Sequence, residues 1–388
     1  MRTALVGAGL LVLGVVAIVT GLLSGPDALD LFDRVWPILT FVVAITVVAE
    51  LAAKAGLFNY IAEHTTRWAN GRTWLLWLMV VALALVSTIF LSLDTTAVLL
   101  TPVVVVMTRH VGLNPLPFAL TTVWLANTGS MLLPVSNLTN LLAETRMSEL
   151  AGRDLSPIEF AGLTWAPALV AVLVPVIAIA FIHRRTVHGR YRPEATSAVA
   201  NPLAFRGSAI TVVALLPALV SGLPVWIPAA LAAGVLIVLF AFTNPQELRL
   251  GLVPWSLVLL AGVLFLAITA AHSLGLGRVL AEVSGSGDDP LSLLQLSLTA
   301  AVGANGIDNL PAYLALEPVG DSPIRLVALL IGVNAGPLIT PWASLATLLW
   351  HQRLTNMGVT ISWSRYALLG LVVAPITVML ATLVVHAG

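Results

Sequence analysis

Runs of about fifteen to twenty-eight apolar residues follow one another along most of this chain, and most have the length that crosses the hydrocarbon core of a bilayer as a helix. The runs lie at 4–23, 34–57, 74–92, 94–108, 116–143, 160–182, 208–222, 226–243, 254–275, 291–316, 323–350 and 365–386. Charged residues make up only 9% of the 388 residues, against about 25% in soluble domains. We therefore predict an all-α, multi-pass membrane protein with about 9 to 11 transmembrane segments.

Composition also excludes several kinds of function. The formal net charge is zero, so nucleic acid is not an expected partner and the lipid bilayer is. The chain has no cysteine, which removes disulfides and thiolate metal sites, and it has no glycine-rich phosphate loop. We expect no cofactor, no metal and no ATP hydrolysis by this chain. The run at 4–23 is read as a membrane helix and not as a cleaved signal peptide.

The distribution of basic residues predicts the topology. The hydrophilic stretch 184–207 carries five arginines and should be cytoplasmic by the positive-inside rule. Most other basic residues fall on the same side if 74–110 and 291–318 are re-entrant hairpins that enter from opposite faces. The N-terminus is then cytoplasmic and the C-terminus extracytoplasmic. Glu50 and Lys54 are expected to pair at the cytoplasmic end of their helix.

An internal duplication supports this division. A shift of 207 residues aligns Asn127 with Asn334 and Pro134 with Pro341, and a shift of 214 aligns Asp94 with Asp308. We predict two inverted-topology repeats. The first is 1–183, with hairpin 74–110 and broken helix 116–143. A basic cytoplasmic loop at 184–207 separates it from the second, 208–388, with hairpin 291–318 and broken helix 323–350.

Polar residues in the four interrupted segments are the candidate transport site. An ionised group in a bilayer costs roughly 2.5–3.5 kcal/mol, and paired broken helices mark the substrate site of secondary transporters. The alternative is that the two aspartates cap helices and that the prolines only kink them. The candidate binding residues are Asp94, Thr95, Thr96, Asn127, Thr128, Gly129, Asn137, Asn305, Asp308, Asn309, Asn334, Gly336, Thr340 and Ser344. Asp94 and Asp308 are also the candidates for proton coupling.

The stretch from Asn334 to Trp350, together with Val359 to Trp363, closely resembles the C-terminal signature of ArsB-like arsenite and antimonite efflux permeases. The segment 126–142 and the Asp94 tip resemble the same family, within the ion transporter superfamily of citrate and dicarboxylate carriers. The first tip departs from the pattern, with Asp94-Thr95-Thr96 in place of Asn-Asp-Gly.

The resemblance implies a secondary transporter in the plasma membrane that exports arsenite or antimonite by alternating access around a midplane site. The proton gradient or the membrane potential would drive it. A sodium/proton antiporter and a dicarboxylate or citrate carrier are the alternatives within the superfamily, with sodium as the other coupling ion. An intramembrane aspartyl protease that uses Asp94 and Asp308 is disfavoured, because Asp308 lacks a Gly-x-Gly-Asp setting. A cytosolic arsenite-stimulated ATPase and a homodimer both stay open as partners.

Overall fold

A computed structural model describes residues 25–192 and 201–385. These residues form helices joined by turns and short irregular segments, with one isolated backbone bridge between Arg72 and Arg190 and no strand. The helices of at least eight residues are Gly25–Lys54, Leu57–Trp68, Thr73–Leu91, Thr101–His110, Leu116–Thr128, Leu138–Ala151, Pro157–Ile182, Pro202–Ala218, Trp226–Thr243, Trp255–Ser273, Leu276–Val283, Pro290–Ile307, Asn309–Leu316, Pro323–Ala335, Leu345–Asn356 and Trp363–Leu383. The all-α prediction is confirmed. The predicted helix at 4–23 and part of the central loop, 193–200, lie outside the described residues.

Five of the described helices are long and apolar enough to cross a membrane: Asp33–Lys54, Thr73–Leu91, Pro157–Ile182, Trp226–Thr243 and Trp363–Leu383. Their outer faces carry large apolar side chains, such as Phe181 and Phe242, that are more than two-thirds exposed. Apolar surface of this extent is stable only against lipid or another protein. Some helices begin earlier than predicted. The helix expected at 34 begins at Gly25, and the helix expected at 208 begins at Pro202, where the Asn201 side chain accepts the Ala204 N–H at 3.1 Å.

The two predicted hairpins each contain a sharp break in the backbone. Helix Thr73–Leu91 ends at Ser92, whose φ is 92° and ψ 159°, and helix Pro290–Ile307 ends at Asp308, whose φ is 121° and ψ 154°. A positive φ is strained for any residue with a side chain, and such strain clusters at functional sites. By backbone conformation the counterpart of Asp308 is therefore Ser92, and the predicted pairing of Asp308 with Asp94 is two residues out of step.

The two broken helices share a backbone pattern, although only the first has an additional 3-10 helix, Gly129–Met131, before its break. Each has a helix, an extended residue, a one-turn 3-10 helix that starts at a proline, and a second extended residue that begins the next helix. The prolines are Pro134 and Pro341, and the second extended residues are Asn137 (φ −152°, ψ 147°) and Ser344 (φ −153°, ψ 134°). Both pairs are 207 residues apart, which is the shift that the sequence predicts.

A charged pair expected from the sequence is replaced by another. Lys54 Nζ lies 3.1 Å from the Glu247 carboxylate and does not pair with Glu50. The prediction of a Glu50–Lys54 pair is therefore wrong, because Lys54 is at the helix end and reaches the segment that follows helix Trp226–Thr243.

Small residues bring the second hairpin against the second broken helix. A Cβ atom added to Gly332 would lie 2.3 Å from the Ser297 carbonyl oxygen, and one added to Gly336 would lie 2.6 Å from the Ala301 Cβ. Glycines four residues apart on one helix face are the pattern that lets membrane helices approach at backbone distance. This contact fixes the hairpin tip relative to the break at 336–344.

We expect Gly332→Ala to lower the melting temperature of the purified protein in detergent, because the methyl group must displace backbone; overpacking of this kind costs about 1–3 kcal/mol. Gly306→Ala is the matched control, since nothing lies within 4 Å of an added Cβ there. Equal melting temperatures for the two variants would contradict the close packing at Gly332.

Candidate transport site

A small cavity of about 60 Å³ lies where both hairpin breaks and both broken helices meet. One wall is helix Gly25–Lys54. The polar residues that line the cavity are Thr46, Ser92, Asp94, Asn137, Asp308, Asn309 and Ser344. The first half of the chain and the second half therefore contribute to one site, and five of the fourteen predicted site residues line it.

The two aspartates have different surroundings in this cavity. Asp308 Oδ1 accepts the backbone N–H of Leu310 at 3.1 Å, and the amide of Leu345 also faces the carboxylate. Asp308 thus lies at the N-termini of two helices, where the helix dipoles stabilise negative charge. Asp94 is half-buried, and within the described chain its carboxylate has no hydrogen bond or ion pair. Asp94 is therefore the carboxylate that is available to a solute, a cation or a proton.

Amide and hydroxyl groups complete the lining. The Ser344 hydroxyl is buried and has no hydrogen-bond partner among the described residues. The amide of Asn309 faces the same space, and the helices that start at Leu138 and Leu345 begin at the cavity wall. The first N–H groups of a helix lack intrahelical acceptors, so both helix ends suit oxygen atoms of a small solute.

Asn334 does not face the cavity; it connects the two broken helices. Its Oδ1 atom accepts hydrogen bonds from Asn137 at 2.8 Å and from Thr139 at 3.0 Å, and its Nδ2 atom donates to Asn140 at 2.7 Å. Asn140 in turn donates to the carbonyls of Ser130 and Leu133, at the first break. These bonds satisfy backbone groups that the break leaves unpaired, as membrane depth requires.

Asn305 has the same kind of role in the second half. Its amide donates to the Gly336 carbonyl at 2.8 Å, and its Oδ1 atom accepts the N–H groups of Ile339 and Thr340 at 3.2 and 3.1 Å. Its own carbonyl accepts the Thr340 hydroxyl at 2.7 Å. Asn305 and Thr340 therefore join the second hairpin to the break behind it.

Among the other predicted residues, Thr95, Thr96 and Asn127 have side-chain hydrogen bonds to the protein itself. The Thr95 hydroxyl donates to the Leu91 carbonyl at 2.7 Å, and Thr96 bonds the Thr88 hydroxyl at 2.8 Å. Asn127 donates to Thr347 at 3.3 Å. Thr128 is buried without a partner in the described chain, and Gly129 and Gly336 pack closely against neighbouring side chains.

Sequence reasoning missed Ser92 and Thr46 as lining residues. Ser92 stands two residues before Asp94, but no residue pattern around it predicts the positive φ with which it lines the cavity. Thr46 lies in an unbroken apolar helix, and only its place opposite both hairpin breaks marks it.

The fold and the cavity together define a multi-pass α-helical membrane transporter, with a polar site enclosed between interrupted helices. Residues 2–332 match the family model described as CitMHS, citrate transporter, and the chain belongs to that family. The curated relatives include the arsenical pump membrane protein of Escherichia coli, 27% identical over 382 residues that cover 92% of this chain and 88% of the relative. The protein of the same name from Yersinia enterocolitica is 28% identical over 386 residues, with 92% and 87% coverage.

A solved structure shares the fold. The YdaH transporter of Alcanivorax borkumensis aligns with a TM-score of 0.58 at 16% identity, over 94% of this chain and 89% of that one. These comparisons confirm the predicted resemblance to arsenical pump proteins and the prediction of a transporter, not an enzyme.

The two kinds of polar residue predict opposite effects of mutation. Asn305→Ala removes four side-chain hydrogen bonds and takes the partners from part-buried backbone groups, so we expect a clear fall in melting temperature, since each unpaired group costs up to about 1–3 kcal/mol. Ser344→Ala removes a hydroxyl that has no partner, so we expect stability to stay the same or to rise and solute binding to weaken. A thermal melt of both variants, with and without arsenite, makes the measurement. A destabilised Ser344→Ala protein would contradict this assignment.

Proposed function

We propose that this chain exports arsenite or antimonite across the cytoplasmic membrane. The observation that carries the proposal is the chemistry of the cavity, whose lining has two carboxylates, two side-chain amides and three hydroxyls around a space of about 60 Å³. At neutral pH arsenite is an uncharged trihydroxide of four heavy atoms, and such a solute needs hydrogen-bond donors and acceptors more than a countercharge. The names of the curated relatives support the same cargo.

Charge in the approach to the site argues against an organic anion. A cavity of about 350 Å³, which includes Glu144 and Asp154, meets the site at Leu141. A second cavity, of about 140 Å³, includes Glu50 and shares Asp94 with the site. None of the described residues that line these three spaces is basic. An acidic lining repels a dicarboxylate or citrate and admits a neutral solute, a cation or a proton.

Coupling follows from the difference between the two aspartates. The Asp308 carboxylate is engaged by backbone N–H groups, whereas that of Asp94 has no partner in the described chain, so we assign to Asp94 the exchange of one proton for each cycle of export. Each charge that moves through 100 mV supplies about 2.3 kcal/mol, enough for a gradient of roughly fiftyfold. The predicted topology places the N-terminus in the cytoplasm and the C-terminus outside, and the offset of 207 residues between the broken helices supports the pair of inverted repeats.

Inside-out membrane vesicles that contain the protein should accumulate arsenite when energised, and Asp94→Asn should lower the rate by at least about tenfold, as expected for the loss of a proton-transfer group. Asp33→Asn, a change of the same kind at an exposed position, is the control and should transport normally. Vesicles with the wild-type protein that accumulate no arsenite would contradict the proposed cargo. Sodium-dependent proton movement that arsenite does not affect would identify a sodium/proton antiporter instead.

Alternating access requires a contact that breaks and re-forms during the cycle, and one ion pair has the position for it. Arg34, near the start of helix Gly25–Lys54, pairs with Glu317, at the end of the second hairpin. The Tyr313 hydroxyl donates to the same carboxylate at 3.2 Å, and Glu317 is buried. This contact joins the cavity wall formed by helix Gly25–Lys54 to the hairpin that carries Asp308. It can open only if the two elements separate.

Because the chain has no cysteine, a pair of cysteines at 34 and 317 can be bridged cleanly by a short, reducible bis-thiol reagent. We expect the bridge to stop transport and a reductant to restore it. The control pair is Arg146→Cys and Glu149→Cys, an ion pair within one helix, where a bridge should change nothing. Full transport by the protein bridged at 34 and 317 would contradict movement between these elements.

A further inference from the structure

Glu50 lines the second cavity, which shares Asp94 with the transport site, and the transport mechanism proposed above does not use Glu50. The cavity of about 140 Å³ is bounded by Thr46, Ala49 and Glu50 on helix Gly25–Lys54 and by Asp94, Thr95 and Val98 on the first hairpin. Asp94 lies in the wall of both this cavity and the transport site. A route from the site toward the Lys54 end of the helix therefore passes Glu50.

The carboxylate of Glu50 is not engaged elsewhere in the described chain. The nearest base on its own helix, Lys54, is paired with Glu247 at 3.1 Å. Of the described titratable side chains on the enclosing elements and the segment beside them, only Asp94 and Glu50 line the cavity. The others are Asp33, Arg34, Lys54, Arg109, His110, Glu247, Arg249, His272, His351 and Arg353. Glu50 is also partly exposed, so it can exchange protons with bulk water.

We infer that Glu50 is the relay that carries protons between Asp94 and the aqueous phase at the Lys54 end of the helix. The cavity has room for several water molecules, each of which takes about 30 Å³ of liquid. Protonated Asp94 gives its proton to the nearest of these water molecules. The water molecule at the other end of the cavity protonates the Glu50 carboxylate, and Glu50 releases the proton to solvent. Both groups are then carboxylates again, and one proton has left the site.

The charge distribution of the sequence puts this end of the helix in the cytoplasm. This inference rests on the proposed proton coupling at Asp94, but not on the identity of the cargo. The relay also gives a role to Glu50 as the single charged residue of the stretch 35–53, where an ionisable group is costly.

The test compares variants in proteoliposomes that contain a pH-sensitive dye, with arsenite and then sodium gradients as the driving solute. Glu50→Gln should slow solute-driven proton flux by at least about tenfold, the usual effect of removing a proton-transfer group. Binding of the driving solute, measured by thermal stabilisation, should be unchanged. Formate, a small acid that fits a water-filled cavity, should restore much of the flux, and Glu50→Asp should retain it.

Glu247→Gln is the control, because it breaks the Lys54 pair without changing the lining of the cavity, and its flux should match that of the wild type. Wild-type flux in Glu50→Gln, or a lost flux that formate does not restore, would overturn the relay. A wrong cargo proposal has a different result: the wild-type protein would then move protons with a sodium gradient and not with an arsenite gradient. The sodium arm then still tests Glu50.

Discussion

The structure depends on satisfying backbone groups where two helices are interrupted at membrane depth. No water is available there to replace a lost helical hydrogen bond, so irregular backbone persists only where the protein supplies partners. Asn140 supplies them at the first break, through the carbonyls of Ser130 and Leu133. Asn305 supplies them at the second, through Gly336, Ile339 and Thr340. Once the breaks are stable, two new helix ends open onto one cavity.

The same hydrogen bonds join the two halves of the chain. Asn334 belongs to the second half, yet its three side-chain bonds all go to residues of the first. The site is thereby built where two broken helices of different sequence, with the same backbone pattern at their breaks, contact each other. Ser92 and Asp308 show the consequence, because the same strained conformation presents a hydroxyl in one half and a carboxylate in the other. The acid of the first half, Asp94, stands two residues further on and keeps its carboxylate free.

Local chemistry in the sequence predicts much of this fold. Apolar runs give the helix positions, and proline and glycine mark the breaks, because both residues oppose a continuous helix. The shift of 207 residues between the halves is reproduced in the backbone at Asn137 and Ser344. The division of labour among the asparagines could not be predicted. Asn309 faces the cavity, while the side chains of Asn305 and Asn334 hydrogen-bond to other parts of the protein. Which asparagine does which depends on how segments far apart in the chain meet.

Selectivity in such a site follows from what the wall lacks as much as from what it offers. A carrier for organic anions needs fixed positive charge or many free donors, and the described lining of the three cavities has acids and no bases. An uncharged hydroxide meets no electrostatic barrier on such a route, but it gains no driving force from the membrane potential either. A charge must therefore move with it or against it. Of the two acids in the site, Asp308 accepts a backbone N–H group and Asp94 has no partner among the described residues, which is why the proposed charge exchange is assigned to Asp94.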